Sequence, residues 1–418
     1  MQRRTLCLWP GGMLLGFMCF AVQAESWTLT QALTAAQRYS AEISASKNEA
    51  QALDAMADSA RELPDPQLRF GIENVPVQGS NGRRLTREGM TMQRVGVMQR
   101  YVSEEKRERK AQTLLAQSQS VNAQADAIRA GLQRDTAQAW LDLALSTQAL
   151  DTARRLVAET RRQIAGQKAS VSGGSVPADT VLSLQVTLNA MRDRETLTER
   201  DVRLAQTRLM ELTGQQLDGI SGALPPYQRL PAEARVIEEG VILHPEVIAA
   251  SREATTARSR SAQSAIAAIP DVDVELYYAR RADGYEDMAG VMFTVDLPLF
   301  QGRRQNKDHA ADVSMTMQAN DRLAQTERTH LAQVRSLIAE YQAARTLWQR
   351  QRDETLPLQK QRLSLVTAQY RGGQSALPDL LEARRGVLET EMSLNESEKE
   401  MARRWAAIRW LIPQEIAL

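Results

Sequence analysis

The sequence predicts a mainly helical chain with a small β part. Very long coiled-coil helices would form the wall of an α-barrel, and four strands per chain would contribute to a β-barrel shared between chains. Three observations predict it. The 418-residue chain repeats itself at an offset of about 200 residues. Each copy holds a helical period sustained far beyond the roughly 11–12 residues of an average globular helix. Each copy also carries two short stretches that alternate apolar and polar residues.

The duplication rests on four landmarks kept in one order. PDPQLRFGIE at 64–73 is echoed by PDVDVELYYA at 270–279, and the stretch Val95 to Tyr101 by Phe293 to Phe300. Lys106-Arg107 is echoed by Arg303-Arg304, and GGSVPADTVLSLQ at 173–185 by GGQSALPDLLEAR at 372–384. Chance explains one such match but not four in register. The chain accordingly divides into a leader at 1–24, a first repeat at 25–213, a linker at 214–232, a second repeat at 233–413 and a tail at 414–418.

The leader comes first in the chain. Arg3 and Arg4 precede a mostly apolar run from Leu6 to Phe20, and Val22-Gln23-Ala24 supplies small residues for cleavage before Glu25. The run is broken at Pro10-Gly11-Gly12 and falls short of the roughly 20 apolar residues of a spanning helix. Both cysteines, Cys7 and Cys19, lie inside it, and Gly16-Phe17-Met18 poorly matches the small residues that precede a lipidated cysteine. Cleavage leaves no thiol, which excludes disulfides and thiolate chemistry.

Helices are expected at about 29–62 and 233–268, ahead of the strands. A long one follows at about 103–168, where no proline occurs and Leu114, Val121 and Ile128 recur every seven residues. Ser118, Ala125, Leu132 and Ala139 interleave at the same spacing, a seam whose small residues let helices approach closely. Such a helix is about 95 Å long and cannot belong to a compact globule. A similar helix is expected at about 304–371. Glycine-bearing turns, Gly173-Gly174 and Gly372-Gly373, end the two, and Pro177 and Pro378 open return helices at about 178–213 and 379–411. Gly214 to Pro231 is rich in Gly and Pro and reads as irregular.

Of the strands, 67–75 sets Leu68, Phe70 and Ile72 against Gln67, Arg69 and Glu73. Val272, Val274, Leu276 and Tyr278 alternate with Asp273 and Glu275, and Val291, Phe293, Val295 and Leu297 with Met292, Thr294 and Asp296. Met90 to Tyr101 alternates less well and carries Arg94. The period alone fits either a membrane barrel wall or a solvated sheet resting on a soluble core. Four strands cannot close a barrel, whose smallest form has about eight. If they span a bilayer, several chains must share one barrel, because an open edge leaves backbone groups without partners.

Charge is balanced, with 52 basic and 51 acidic residues. Without Arg3 and Arg4 the basic count is 50, so no excess points to nucleic acid. Hydrophobic content of 43% and a mean hydropathy of −0.40 leave no later segment apolar enough to span a membrane as a helix.

Together these features resemble the TolC family of outer-membrane efflux proteins over nearly the whole chain. The duplication, the PDP-initiated strand, the basic cluster opening each long helix and YRGGQSALPDLLEAR at 370–384 carry the resemblance. LPDPQLRFGIENVP at 63–76 with MTMQRVGVMQ at 90–99 looks closer to the heavy-metal cation (CzcC/CusC-like) branch. The resemblance implies a homotrimer with a twelve-stranded barrel in the outer-membrane lipid and a long periplasmic α-barrel. It implies partners, a periplasmic adaptor (membrane fusion) protein and an inner-membrane pump of RND type, and it implies no catalysis and no cofactor. Carboxylates would ring the periplasmic aperture, at Asp379 and Glu382 with Asp179 at the equivalent place in the first copy. The adaptor-contact tips would be Gly173, Gly174, Ser175, Val176 and Pro177, and Gly372, Gly373, Ser375, Ala376, Leu377 and Pro378.

Asp379 and Glu382 lie three apart, hence on one helix face, and symmetry would turn them into stacked acidic rings that favour cations. Alternatively they complement the helix dipole, worth roughly 0.3–1 kcal/mol at an exposed site, which suits Asp179 well. His244, His309 and His330 are the only histidines, far apart in sequence and without ligand spacing, so no metal ligands are expected. Met90, Met92 and Met98 fall in or near one strand, and Met315 and Met317 do not share a helix face. No catalytic constellation is present. A drug or type I secretion exit channel would have the same architecture, and a periplasmic adaptor or structural coiled-coil protein is the reading from a different class.

Overall fold

The computed structural model describes residues 26–172, 178–217 and 219–411. The leader at 1–24, the first tip at 173–177 and the tail at 414–418 lie outside the described residues.

The first repeat opens with β1 (Ser26–Trp27), α1 (Leu29–Tyr39) and α2 (Ala41–Arg61). The single helix expected at 29–62 is corrected to two, because Ser40 leaves the helical conformation and its side chain caps Ile43 N–H. β2 (Gln67–Glu73) and β3 (Met92–Tyr101) lead into α3 (Glu104–Ser172), a helix of 69 residues and so about 104 Å long. α4 (Ala178–Thr213) returns along it. The linker is less irregular than its composition suggests: β4 (Gly219–Ile220) pairs in parallel with β1, and Leu217 and Tyr227 are buried.

The second repeat runs α5 (Ala234–Glu239), a 3-10 turn at Gly240–Leu243 and α6 (Pro245–Ala265), so the helix expected at 233–268 is also broken. Pro245 explains the break, since its ring disfavours helical geometry in the residue before it. β5 (Val272–Arg281) and β6 (Met288–Val295) follow, the latter ending before the expected Phe300. The long helix expected at 304–371 is two, α7 (Gln305–Arg350) and α8 (Leu356–Arg371), joined by a π turn at Gln351–Thr355. Pro357 is the physical reason, because it lacks an N–H to give to the preceding turn and its ring crowds the carbonyl there. α9 (Leu377–Arg409) closes the chain. The element order thus runs helix, hairpin, long helix, return helix in both repeats.

α3 is the spine, packing on α2, α4, α6 and α9. Its small-residue stripe is what goes inside: Ala111, Ser118, Ala125 and Ala139 are buried at heptad spacing, while Leu114, Val121 and Ile128 are half-buried. The main core sits at mid-height, where Trp140, Leu141 and Leu143 of α3 meet Tyr341 and Trp348 of α7 and Met401 and Ile408 of α9. Two of its polar tips reach backbone carbonyls. Trp140 Nε1–H donates to Trp27 O at 2.9 Å, and Tyr341 O–H donates to Tyr227 O at 2.9 Å. Burial pushes the Tyr341 phenol up to about 12. Arg403 forks onto Asp142 at 2.7 and 3.0 Å, fixing α9 to α3.

Candidate functional site

The strands form one antiparallel sheet in the order β2-β3-β5-β6, so the two repeats meet at β3 and β5. Its register sorts the side chains by face. Leu68, Val97, Leu276 and Val291 form one cross-strand row, and Phe70, Val95, Tyr278 and Ala289 the next but one. This apolar face covers no core: Phe70 is 82% exposed, Phe293 67% and Leu68 65%. A soluble hairpin sheet would bury such a face, so the barrel-wall alternative is the one that fits.

The opposite face is charged and internally paired. Glu275, only 6% exposed, receives Arg94 at 2.9 Å and Arg69 at 3.2 Å, and Arg94 also reaches Glu73 at 3.0 Å. Arg100 forks onto Asp273 at 2.8 and 3.1 Å. Arg94 further lies 3.9 Å over the Tyr277 ring, which lies flat across Gly290, where a Cβ would stand 2.5 Å from its hydroxyl. The irregularity that Arg94 introduced into the Met90–Tyr101 pattern is therefore the centre of this network. Met92, Met98, Met288 and Met292 share the face with these charges.

At the strand–helix junction the basic pair Lys106-Arg107 tethers chain. Lys106 Nζ donates to Asp271 Oδ1 at 2.7 Å and to Ile269 O at 3.0 Å, and Arg107 donates to the carbonyls of Val102 and Arg61. This links the start of α3 to the start of β5.

The second tip is a compact turn. Gly373 takes φ +72°, a left-handed conformation open to glycine, and Gln374 N–H bonds back to Gln369 O at 2.8 Å, closing the end of α8. Leu377 and Pro378 then open α9. Asp379 is exposed, and its Oδ2 accepts Ala376 N–H at 3.1 Å and Ser375 O–H at 3.0 Å. Those bonds cap the start of α9. Glu382 is exposed and pairs with Arg362 at 3.3 Å. Asp179 falls in the first turn of α4.

One juxtaposition escaped sequence reasoning. His244 and His330 are both buried with ring centroids 4.4 Å apart, and His330 Nε2 lies 2.8 Å from Glu246 Oε2. Burial, together with the neighbouring His330, pushes the His244 imidazole down to about 4. The separation of 86 positions hid the pair, and only the side-by-side packing of α6 and α7 reveals it. His309, by contrast, has Ser264 Oγ at 3.2 Å from its Nδ1, linking α7 to the end of α6. Among the described residues no helix is long and apolar enough to cross a membrane.

A model of the family described as outer membrane efflux protein matches residues 241–412, essentially the second repeat. No curated protein matches the chain. Solved structures are similar over nearly its full length. CusC, in a study of folding and transmembrane channel formation, is 14% identical, with 94% of this chain and 95% of that one covered and a TM-score of 0.77. The outer membrane protein VceC of Vibrio cholerae is 16% identical, with 92% and 95% covered and a TM-score of 0.74. The CmeC outer membrane channel of Campylobacter jejuni is 12% identical, with 98% and 93% covered and a TM-score of 0.76. The fold is mainly helical, with long helical hairpins beside a four-stranded antiparallel sheet. It is the TolC-like fold.

Proposed function

We propose that this protein is an outer membrane efflux protein over its whole length, serving as the passive exit duct of a tripartite system. Cargo delivered by an inner-membrane pump and a periplasmic adaptor would leave through it, without catalysis. The observation that carries the reading is the unclosed sheet, apolar and exposed on one face and charged on the other. It makes sense as one third of a twelve-stranded wall, lipid outside and water inside. The helices agree. Leu197 and Leu204 of α4 and Leu358 and Leu365 of α8 are exposed at heptad spacing, as faces awaiting neighbouring copies in a homotrimer would be.

Heavy-metal cations are the proposed cargo, supported by the resemblance at 63–76 and 90–99 and by the acidic positions Asp379, Glu382 and Asp179. The second tip, Gly372, Gly373, Ser375, Ala376, Leu377 and Pro378, is proposed to contact the adaptor, together with its counterpart at 173–177. One observation favours a broader cargo, such as drugs or a secreted protein: the charged strand face is paired off and carries no acidic excess. Comparing a deletion strain with its parent for metal and antibiotic tolerance tests the cargo. Lost metal tolerance supports cations, and altered drug tolerance alone overturns them. Fractionation tests the duct itself: a detergent-extracted outer-membrane trimer supports it, whereas a soluble periplasmic species refutes it.

A further inference from the structure

The buried His244–His330 pair is more than packing. His244 is the N-cap of α6, where its Nδ1 accepts Glu246 N–H at 3.3 Å. Capping does not call for histidine. In the first repeat Ser40 does the same work at the start of α2, and serine is among the preferred caps. The cap in the second repeat is thus a bulkier, buried, metal-competent group where a hydroxyl suffices. Facing it from the middle of α7 is His330. Its Nε2 meets Glu246, while its Nδ1 is buried with no partner at all.

Glu246 completes a donor set. Its carboxylate is half-exposed, beside two imidazoles that are nine-tenths buried. One ligand atom from each of the three residues can be chosen so that all lie within 4.8 Å of one another. Bonds of about 2.0–2.2 Å to a tetrahedral cation place ligand atoms roughly 3.3 Å apart. The Glu246–His330 pair is already at or inside that spacing, and the remaining gap closes by about 1.5 Å, within reach of a ring or carboxylate rotation. Arg134, the nearby charge that opposes a cation, is ion-paired with Asp135 at 2.9 Å.

We infer that His244, His330 and Glu246 form a site for a divalent transition cation, two imidazoles and one carboxylate with the fourth position open to solvent on the Glu246 side. Two nitrogens and a carboxylate suit Zn2+ and its neighbours Co2+, Ni2+ and Cu2+, and suit Ca2+ or Mg2+ poorly. The weak cap at His244 Nδ1 is the bond most readily given up. A cation here joins the start of α6 to the middle of α7, at the edge of the mid-height core and away from both the strands and the tip. It is a structural clamp on the second repeat, independent of what passes through the tube.

Equilibrium dialysis of the purified detergent-solubilised protein against Zn2+, read by elemental analysis, tests this. Cobalt substitution, read by visible absorption, reports the coordination. The expected result is one Zn2+ per chain, with intense tetrahedral Co2+ bands. His330→Gln and Glu246→Gln should each weaken uptake at least ~10-fold, and His309→Gln should leave it unchanged. Glu246 is half-exposed, so its variant keeps the test decisive if a histidine variant fails to fold. Uptake well below one Zn2+ per chain overturns the site. So does one-per-chain uptake that Glu246→Gln leaves unaltered.

Discussion

Phe70→Lys separates a membrane wall from a solvated sheet by the sign of its effect. Phe70 is the fourth of the seven residues of β2 and the most exposed aromatic of the apolar face. Strands of 7–10 residues rise about 3.3 Å per residue, and tilting by about 40° gives ten residues a height near 25 Å, the apolar band of a bacterial barrel. Phe70 then stands near mid-depth, where lysine costs about 2–4 kcal/mol, or roughly 6–12 kcal/mol over three chains. On a sheet in water the same change would be neutral and would improve solubility. The control is Thr294→Lys on the opposite face of the same sheet, paired with Asp273, where a charge stays in the aqueous lumen. The assay is insertion of refolded protein into lipid vesicles, followed by urea titration of the inserted fraction. Phe70→Lys should lower the inserted fraction sharply and Thr294→Lys should not. Equal insertion and equal urea midpoints for both would refute the assignment of faces.

Three further outcomes are expected. Tyr341→Phe removes one buried hydrogen bond and leaves the Tyr227 carbonyl without that donor, costing about 1–2 kcal/mol in thermal unfolding of the helical part. Asp379→Ala should raise single-channel conductance or lower cation selectivity in planar bilayers, and unchanged values for both would assign Asp379 to its cap alone. Gly373→Ala, at φ +72°, should cost about 1 kcal/mol, with proteolysis near 370–376 accelerated relative to the parent.

What was legible in the sequence was set by periodicity and duplication. α4 falls where Pro177 and the Gly–Pro linker place it, and α3 runs as far as its seamless heptads suggest. The failures have local causes. Ser40, Pro245 and Pro357 each interrupt a pattern whose apolar spacing continues across the break, so the period hides the interruption. Arg94 looked like a flaw in an alternating strand because its partners, Glu275 and Tyr277, come from the other repeat about 180 residues away. His244 and His330 were invisible although both belong to the second repeat, because 86 positions separate them. Contacts between distant segments depend on how two helices lie together, and no local spacing encodes that.

The strand order has a consequence for assembly. With β3 and β5 in the middle, every copy offers β2 at one border and β6 at the other, and those two run in opposite directions. A neighbouring copy placed border to border therefore meets antiparallel at each seam, whatever the number of copies. Doubling a hairpin guarantees an even count, whereas a three- or five-stranded chain would force a parallel seam. Strand pairing alone thus permits rings of several sizes, and the curvature of the helical wall beneath must select among them.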